Sequence, residues 1–197
     1  MKHFLKEWGF FSFILVLILL SRLFIWSLVS VEGHSMDPTL RDKDALVMLK
    51  IGKIDRFDIV VASEIDDAGK EKLIVKRLIG LPGDTIHYEN DTLYVNGQEV
   101  KEKYLEEYKA AFAKDKLQST YSYNPNFQAS AQDASAFTLD AQGNSTFTIE
   151  IPEGQYYLLG DDRLVSADSR KVGTFRKTAI KGKIISRVYP FNRIQGF

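Results

Sequence analysis

An uncharged apolar run near the N-terminus, FFSFILVLILL from Phe10 to Leu20, limits what this chain can fold into more than any other feature. Extended over residues 4–26, the run approaches the roughly 20 residues that a helix needs to cross a bilayer. Trp8 and Trp26 sit where interfacial aromatic residues are expected, and Arg22 lies close enough to the end to reach the interface. We therefore predict one N-terminal transmembrane helix.

The residues beside the apolar run predict its orientation and bear on two other interpretations. Lys2 and Lys6 precede the run, so the positive-inside rule puts the N-terminus in the cytoplasm and the rest outside the plasma membrane. A cleaved signal peptide needs small residues after the run, whereas the bulky SRLFIW follows here. A buried core helix would carry a polar face, whereas this run is apolar all round.

Composition narrows the class of the remaining chain. Lys+Arg and Asp+Glu number 26 each among 197 residues, so the formal net charge is zero and nothing indicates nucleic-acid binding. Cysteine is absent, which excludes disulfides, thiolate metal sites and cysteine nucleophiles. The sequence contains no dinucleotide-binding glycine motif, no P-loop and no zinc-ligand spacing, so we expect no metal and no cofactor.

Short apolar runs bounded by polar turns predict strands through most of the chain after the anchor. Asn96-Gly97 within TLYVNGQEV is a strong signal for a two-residue hairpin. Residues 102–144 differ, since KEKYLEEYKAAFAKDK is compatible with one amphipathic helix and the remainder is polar. We interpret 102–144 as a variable surface insertion and not as a second core.

The fold class that these patterns predict is mainly β. We expect twisted antiparallel sheets or a partly open barrel, together with the one N-terminal transmembrane helix. The expected organisation is a cytoplasmic N-terminus and anchor over residues 1–26, followed by an extracytoplasmic β domain over residues 27–197.

The strand KLIVKRLIG carries a lysine among apolar residues. Because side chains alternate between faces, Ile74, Lys76 and Leu78 share one face, and a strand apolar on both faces is usually buried. Burial lowers the pKa of a lysine, so Lys76 could act as a general base near neutral pH. The alternative is an edge strand whose lysine reaches water.

The serine in GHSMDPTL is a candidate nucleophile. Gly33 removes a side chain where a substrate backbone could approach, and Pro38 makes a turn just after Ser35. Proton transfer from Ser35 to a lysine is the Ser-Lys variant of serine catalysis. A turn serine without catalytic role remains an alternative, as does a Ser-His-Asp triad that uses His34 or His87.

The charged stretch GDDRLVSADSR, from Gly160 to Arg170, is the third candidate segment. It could supply a hydroxyl that orients the lysine and an Asp–Arg pair that braces the site. Asp161 and Asp162 could also suggest an aspartic or metal site. No ligand spacing supports such a site, so we expect these two carboxylates in a solvated loop.

Together these segments resemble the bacterial type I signal peptidases, the membrane-bound Ser-Lys proteases that remove signal peptides. GHSMDPTL is similar to the nucleophile box of that family, S-M-x-P-T-L, and DIVV resembles its short strand box. VKRLIGLPGD is similar to the lysine box and GDDRLVSADSR to the last box. The order of the four segments agrees, and residues 102–144 carry no motif.

The resemblance implies a role for several residues. Ser35 is implied as the nucleophile, Lys76 as the general base, and Ser166 as the hydroxyl that hydrogen-bonds and orients the lysine amine. The Ser35 backbone N–H is implied as one oxyanion donor. Many relatives place a serine donor two residues before the nucleophile, but Gly33 stands here, as in the shorter, single-anchor Gram-positive enzymes. We expect a backbone N–H near Gly33 or an ordered water to replace this second oxyanion donor.

The same resemblance implies structural support and substrate contacts. Asp168 and Arg170 are implied to form a salt bridge that Arg77 joins. A signal-peptide-bearing preprotein is implied as substrate and the lipid bilayer as the other partner. The substrate is expected to pair with backbone near residues 31–33 and 73–75, and its small side chains are expected to fill pockets lined by Val31, Met36 and Ile74.

Two other functions remain open at this point. A related Ser-Lys hydrolase such as a self-cleaving repressor would be soluble and carry a DNA-binding domain, whereas this chain has an apolar N-terminus and no net charge. The other is a specialised or non-catalytic family member that acts in surface-protein or pilus assembly, although a non-catalytic binding module would have no need of both Ser35 and Lys76.

Overall fold

The computed structural model describes the backbone of residues 2–65 and 69–197, and the side chains from residue 8 onward within those ranges. The helices are α1 (Lys2–Phe24), α2 (Glu106–Asp115), α3 (Pro125–Asp133) and α4 (Ser169–Val172). The strands are β1 (Trp26–Ser30), β2 (Ala45–Leu49), β3 (Ile59–Ile65), β4 (Glu71–Gly80), β5 (Thr85–Glu89), β6 (Thr92–Val95), β7 (Gln98–Val100), β8 (Thr146–Glu150), β9 (Gln155–Leu159), β10 (Phe175–Arg176), β11 (Ile180–Tyr189) and β12 (Gln195–Gly196). Short 3₁₀ turns occupy Lys103–Leu105, Lys177–Ala179 and Phe191–Arg193.

The apolar N-terminal run lies within α1, and its described side chains are largely exposed. The Lys50 ammonium donates to the carbonyl oxygens of Arg22 and Leu23 at 3.2 and 2.8 Å, which satisfies acceptors at the end of α1. Among the described residues, none of the helices combines the length and the apolarity of a membrane span. The side chains of Lys2 and Lys6 lie outside the described residues, so the anchor and its orientation stay predictions.

The larger sheet is antiparallel and holds the site. Its strands lie in the order β1-β2-β11-β3-β4-β9-β10, and β12 pairs with β11. The pairs β3–β4 and β4–β9 run antiparallel. The prediction of a mainly β fold built from antiparallel sheets is therefore confirmed.

The alternation of side chains along β3 shows why the larger sheet is buried on both faces. Ile59 and Val61 belong to one apolar cluster, and Val60 and Ala62 belong to another on the opposite face. The first cluster also contains Val31, Met36, Leu40, Leu46, Met48 and Ile184. The second also contains Ile74, Leu78, Leu158 and Phe175. Two covered faces account for the continuous apolar run in DIVVAS.

The smaller sheet consists of β5 to β8, which lie between β4 and β9 of the larger sheet along the chain, and has the order β7-β6-β5-β8. Asn96 and Gly97 connect β6 to β7, with φ angles of 53° and 79°. Positive φ at both central residues is the geometry that an Asn-Gly hairpin favours. The hairpin predicted from this dipeptide is confirmed.

Residues 102–144 form a packed helical unit, and the prediction that they contain no second core was wrong. Tyr108 and Phe112 lie four residues apart on α2 and pack with Tyr121 and Phe137, which come from the polar part of the stretch. The buried cluster consists of Leu105, Tyr108, Phe112, Leu117, Tyr121, Ala131, Ala134 and Phe137. The polar composition hid this core, because its aromatic residues are widely spaced in the sequence.

Candidate active site

Two segments that lie far apart in the sequence bring Ser35 and Lys76 together. Ser35 lies in the turn after β1, whereas Lys76 lies within β4 opposite Val60 of β3. The Lys76 Nζ and Ser35 Oγ atoms are 2.7 Å apart, which is hydrogen-bonding distance. The residues that the sequence predicts as base and nucleophile are therefore neighbours.

The surroundings of Lys76 favour its neutral form. Its side chain is only 4% exposed, so the predicted burial is confirmed and the alternative of a lysine that reaches water is wrong. Burial lowers the pKa of Lys76 to about 8, against the opposing effect of the Asp168 and Glu64 carboxylates. A lysine with this pKa is partly neutral near pH 7 to 8 and can accept a proton.

Backbone of the segment Gly160–Arg170 packs directly against Ser35. The Asp162 N–H donates to the Ser35 carbonyl oxygen at 3.1 Å. A methyl group added at Gly160 would overlap both that carbonyl oxygen and the Ser166 hydroxyl. Glycine at position 160 is therefore required for the close approach of the two segments.

Ser166 is buried beside Gly160, but it does not make the hydrogen bond to Lys76 that the resemblance implies. Its hydroxyl oxygen has no hydrogen-bond partner in the described part of the chain. The Lys76 amine is directed to Ser35 Oγ instead. We therefore correct the predicted Lys76–Ser166 bond, while Ser166 itself lies next to the site.

Asp168 and Arg170 form the predicted salt bridge. The Arg170 Nε and Nη2 atoms donate to the two Asp168 carboxylate oxygens, each at 2.8 Å, and the Gly160 N–H donates to Asp168 at 3.0 Å. Burial alone would raise the pKa of Asp168, but the Arg170 guanidinium and the Gly160 N–H hold it below its ordinary value. Asp168 is therefore ionised and braces the segment.

Arg77 does not join this pair, and the prediction that it does was wrong. Its Nε and Nη2 atoms donate to the two Asp161 carboxylate oxygens at 2.8 and 2.6 Å. Arg77 follows Lys76 in β4, so the two side chains leave opposite faces of the sheet. This alternation directs Arg77 away from the Lys76 side and into a separate buried ion pair.

Asp161 and Asp162 are fully buried, which corrects the prediction of a solvated loop. Each carboxylate meets a partner from another part of the chain. Asp161 pairs with Arg77, and Asp162 accepts a hydrogen bond from the Tyr121 hydroxyl at 2.5 Å. Burial raises the pKa of Asp162 to about 7. No sequence pattern indicated a role for Tyr121, which lies in the polar stretch without a motif.

The backbone near Gly33 decides which oxyanion donors are free. Gly33 has a φ of +82°, which L side chains rarely adopt, and its N–H donates to the Asp42 carboxylate at 2.8 Å. The Gly33 N–H is therefore already bonded and cannot serve as the second donor in this state. The Ser35 N–H has no acceptor among the described residues and is free to donate.

The residues predicted to contact substrate lie largely in the core. Met36 is only 1% exposed and packs in the apolar cluster with Leu46, so it presents no surface to a substrate and that prediction is corrected. Val31 is also buried, and its backbone N–H and C=O pair with Asp44 and Lys43. The predicted pairing of substrate with the Val31 backbone is therefore contradicted.

The N-terminal half of β4 offers an open edge near Lys76. β3 pairs with β4 over residues 71–77, whereas β9 pairs only with Arg77, Leu78 and Gly80. The side of residues 71–75 that faces away from β3 therefore has no strand partner in the described sheet. Ile74 is buried with its side chain in the core, whereas Leu73 is 56% exposed.

Neither described histidine of the β domain hydrogen-bonds Ser35. His34 Nδ1 lies 2.9 Å from Asp37 Oδ2, and His87 Nδ1 lies 2.9 Å from Thr148 Oγ1 in the smaller sheet. Within residues 2–65 and 69–197, no group of three or more His, Cys, Asp or Glu side chains could hold a metal ion. The polar partner of the Ser35 hydroxyl is Lys76.

Comparison with known proteins identifies the family of this chain. The family described as "Signal peptidase, peptidase S26" matches residues 5–189. The chain belongs to the signal peptidase family. The recognition made from the four sequence segments is thus confirmed.

Similar proteins cover almost the whole chain. The "Signal peptidase I" of Streptococcus pneumoniae serotype 4 is 56% identical over 100% of this chain and 98% of the relative. The "Signal peptidase I" of Bacillus caldolyticus is 39% identical over 95% of this chain and 92% of the relative. A crystal structure of a signal peptidase I from Enterococcus faecalis V583 is 31% identical, with a TM-score of 0.44, over 68% of this chain and 97% of that one.

Proposed function

We propose that this chain is a serine endopeptidase that removes signal peptides from secreted preproteins, with Ser35 as nucleophile and Lys76 as general base. The observation that carries the proposal is the 2.7 Å separation of Lys76 Nζ and Ser35 Oγ in a buried setting. Family membership and relatives named signal peptidase I support the choice of substrate.

The reaction begins when neutral Lys76 accepts the proton of the Ser35 hydroxyl, and Ser35 Oγ attacks the scissile carbonyl carbon. The free Ser35 N–H donates to the oxyanion that forms. Lys76 then gives its proton to the departing amine, and the signal peptide stays bound to Ser35 as an ester. Water, deprotonated by Lys76, hydrolyses this ester and restores the Ser35 hydroxyl.

The buried polar groups around Lys76 serve this cycle. When Lys76 becomes an ammonium, it needs a hydrogen-bond acceptor in addition to the oxygen that has attacked the substrate. The buried Ser166 hydroxyl lies next to Gly160, on the segment that packs against Ser35, and adds a polar group beside the site. Asp168, held by Arg170, supplies the nearby negative charge.

The open edge of β4 is the proposed binding site for the signal-peptide segment. An extended substrate that pairs with the backbone of residues 73–75 would add a strand beside Lys76. The Leu73 side chain is exposed at this edge, and a bound substrate would shield its apolar surface from water. Ile74 lies on the same face of β4 as Lys76, so small substrate side chains would pack against it there.

Residues 1–26 are proposed as cytoplasmic N-terminus and membrane anchor, and residues 27–197 as a catalytic domain on the outer face of the plasma membrane. The chain passes from α1 to β1 with a single intervening residue, and Ser35 follows β1 closely. An anchor so near the nucleophile would confine enzyme and membrane-bound substrate to one plane and raise their effective concentration.

The proposal is tested with the full chain in liposomes and a purified preprotein that carries an A-x-A cleavage site. Wild type, Ser35→Ala and Lys76→Ala are compared, with the exposed Lys53→Ala as matched control, and product N-termini are sequenced. We expect cleavage after the small residue by wild type and Lys53→Ala only. Cleavage by Lys76→Ala would place the base elsewhere, and no cleavage by wild type would refute the function.

A further inference from the structure

The insertion, residues 102–144, contacts the segment that carries Ser35 directly at His34 and indirectly through Asp162. The Tyr121 hydroxyl donates to Asp162 Oδ1, and the Asp162 N–H donates to the Ser35 carbonyl oxygen at 3.1 Å. The His34 ring centroid lies 5.0 Å from that of Tyr123 and 6.0 Å from that of Phe127. The insertion therefore reaches Ser35 through its carbonyl group and through the residue before it.

Asp162 depends on Tyr121 for a side-chain partner. Both side chains are fully buried, and the second carboxylate oxygen of Asp162 has no hydrogen-bond partner among the described residues. The backbone amides of Leu164 and Val165 also act on this carboxylate, but they belong to the same segment as Asp162. Tyr121 is thus the contact that ties the orientation of Asp162 to a different part of the fold.

The position of the Tyr121 hydroxyl is itself fixed by packing. Its ring lies edge-on to Tyr108 and Phe127, at centroid distances of 6.3 and 5.7 Å. The start of the insertion is joined to the residue after Asp162 by a buried ion pair, in which Arg163 Nη2 and Glu102 Oε1 are 2.5 Å apart. A rigid cluster and a fixed attachment give the hydroxyl one place relative to Asp162.

We propose that the insertion positions the nucleophile: Tyr121 holds Asp162, and Asp162 holds the Ser35 carbonyl, so that Ser35 Oγ stays aligned with Lys76. The reaction that this serves rests on the proposed function, but the contacts do not. A misplacement of about 1 Å can cost on the order of 100-fold in rate. Loss of one buried hydrogen bond causes a smaller displacement, so we expect a loss of about tenfold in kcat.

The test compares Tyr121→Phe with Tyr108→Phe in the full chain. Both variants remove a hydroxyl from the same aromatic cluster, but the Tyr108 hydroxyl makes no hydrogen bond within the described part of the chain. We measure kcat and KM on a preprotein, the melting temperature, and hydrogen exchange at the Asp162 amide. We expect Tyr121→Phe to lower kcat about tenfold, with KM within about twofold, and to speed exchange at that amide. Tyr108→Phe should change neither kcat nor the exchange rate of the Asp162 amide.

Each outcome decides for or against the positioning role. Unchanged kcat and unchanged Asp162 exchange in Tyr121→Phe would overturn it, and so would equal losses in both variants that follow the melting temperature. If wild type cleaves no preprotein but exchange at Asp162 still accelerates in Tyr121→Phe alone, the proposed function fails while the link from the insertion to Ser35 stands.

Discussion

Arg77 and Asp161 form a buried bidentate ion pair one strand position after Lys76. Two guanidinium nitrogens of Arg77 donate to the two oxygens of Asp161, at 2.8 and 2.6 Å, and both side chains are almost fully shielded from water. Arg77 also lies over the Tyr104 ring, with its guanidinium carbon 3.9 Å from the ring centroid. The pair joins β4 to the segment that packs on Ser35.

Asp161→Ala should therefore destabilise the protein strongly, because it leaves the Arg77 charge buried without a partner. We expect the free energy of unfolding to fall by about 3–5 kcal/mol, measured by denaturant unfolding in detergent. The exposed pair Lys53–Asp55 provides the control, and Asp55→Ala should cause no measurable loss. Equal stability of Asp161→Ala and wild type would show that the pair contributes nothing.

The pH dependence of cleavage should report the ionisation of Lys76. Burial sets the pKa of Lys76 at about 8, and the proposed base is active only when neutral. We expect kcat/KM to rise about tenfold per pH unit below this pKa and to level off above it. The measurement is a rate profile from pH 6 to 10 on one preprotein, and a profile that is flat from pH 6 to 9 contradicts a lysine base.

Lys76→Met should make the protein more stable at pH 7 while it abolishes cleavage. The pKa of Lys76 is about 8 in the fold and 10.5 ordinarily, so the unfolded chain holds this proton more tightly. The free energy of unfolding of wild type should therefore rise with pH between about 8 and 10.5. Below pH 8 the destabilisation that buried Lys76 causes is fully present. The difference between the two pKa values corresponds to roughly 3 kcal/mol in the free energy of unfolding.

The check is the free energy of unfolding of wild type and Lys76→Met at pH 7 and at pH 10. The advantage of the variant should shrink at the higher pH, where wild-type Lys76 is neutral in the fold. Lys53→Met, at an exposed position, serves as control and should show no such dependence. If Lys76→Met is more stable than wild type by the same amount at both pH values, the extra stability comes from packing and not from the loss of a buried charge.

Gly160→Ala should impair cleavage through the position of Ser35. The added methyl group would overlap the Ser35 carbonyl oxygen and the Ser166 hydroxyl, so the two segments must separate. We expect kcat to fall by about 100-fold, since alignment of the nucleophile is lost. Gly196→Ala, where the nearest atom is the Ile185 carbonyl oxygen at 3.9 Å, is the matched control and should keep full activity.

Much of the site could be predicted because its parts are local in the sequence. The apolar alternation around Lys76 indicated a buried lysine, and the pair Asp168–Arg170 lies within three residues. Partners that lie far apart were predicted less well. Arg77 was assigned to Asp168 although it pairs with Asp161, and Tyr121 was not considered at all.

The sequence by itself determined the strands and the Asn96-Gly97 hairpin, because both depend on periodicity or on turn conformations of adjacent residues. It left Lys76 between a buried position and an edge strand, and the structure decided for burial. Only the tertiary structure decided that the Lys76 amine meets Ser35 rather than Ser166, and that a helical insertion reaches the nucleophile through Tyr121. Contacts of this kind depend on how strands register and on which side chains fill the space between segments. Neither the strand register nor the packing between distant segments can be predicted from a short-range pattern in the sequence.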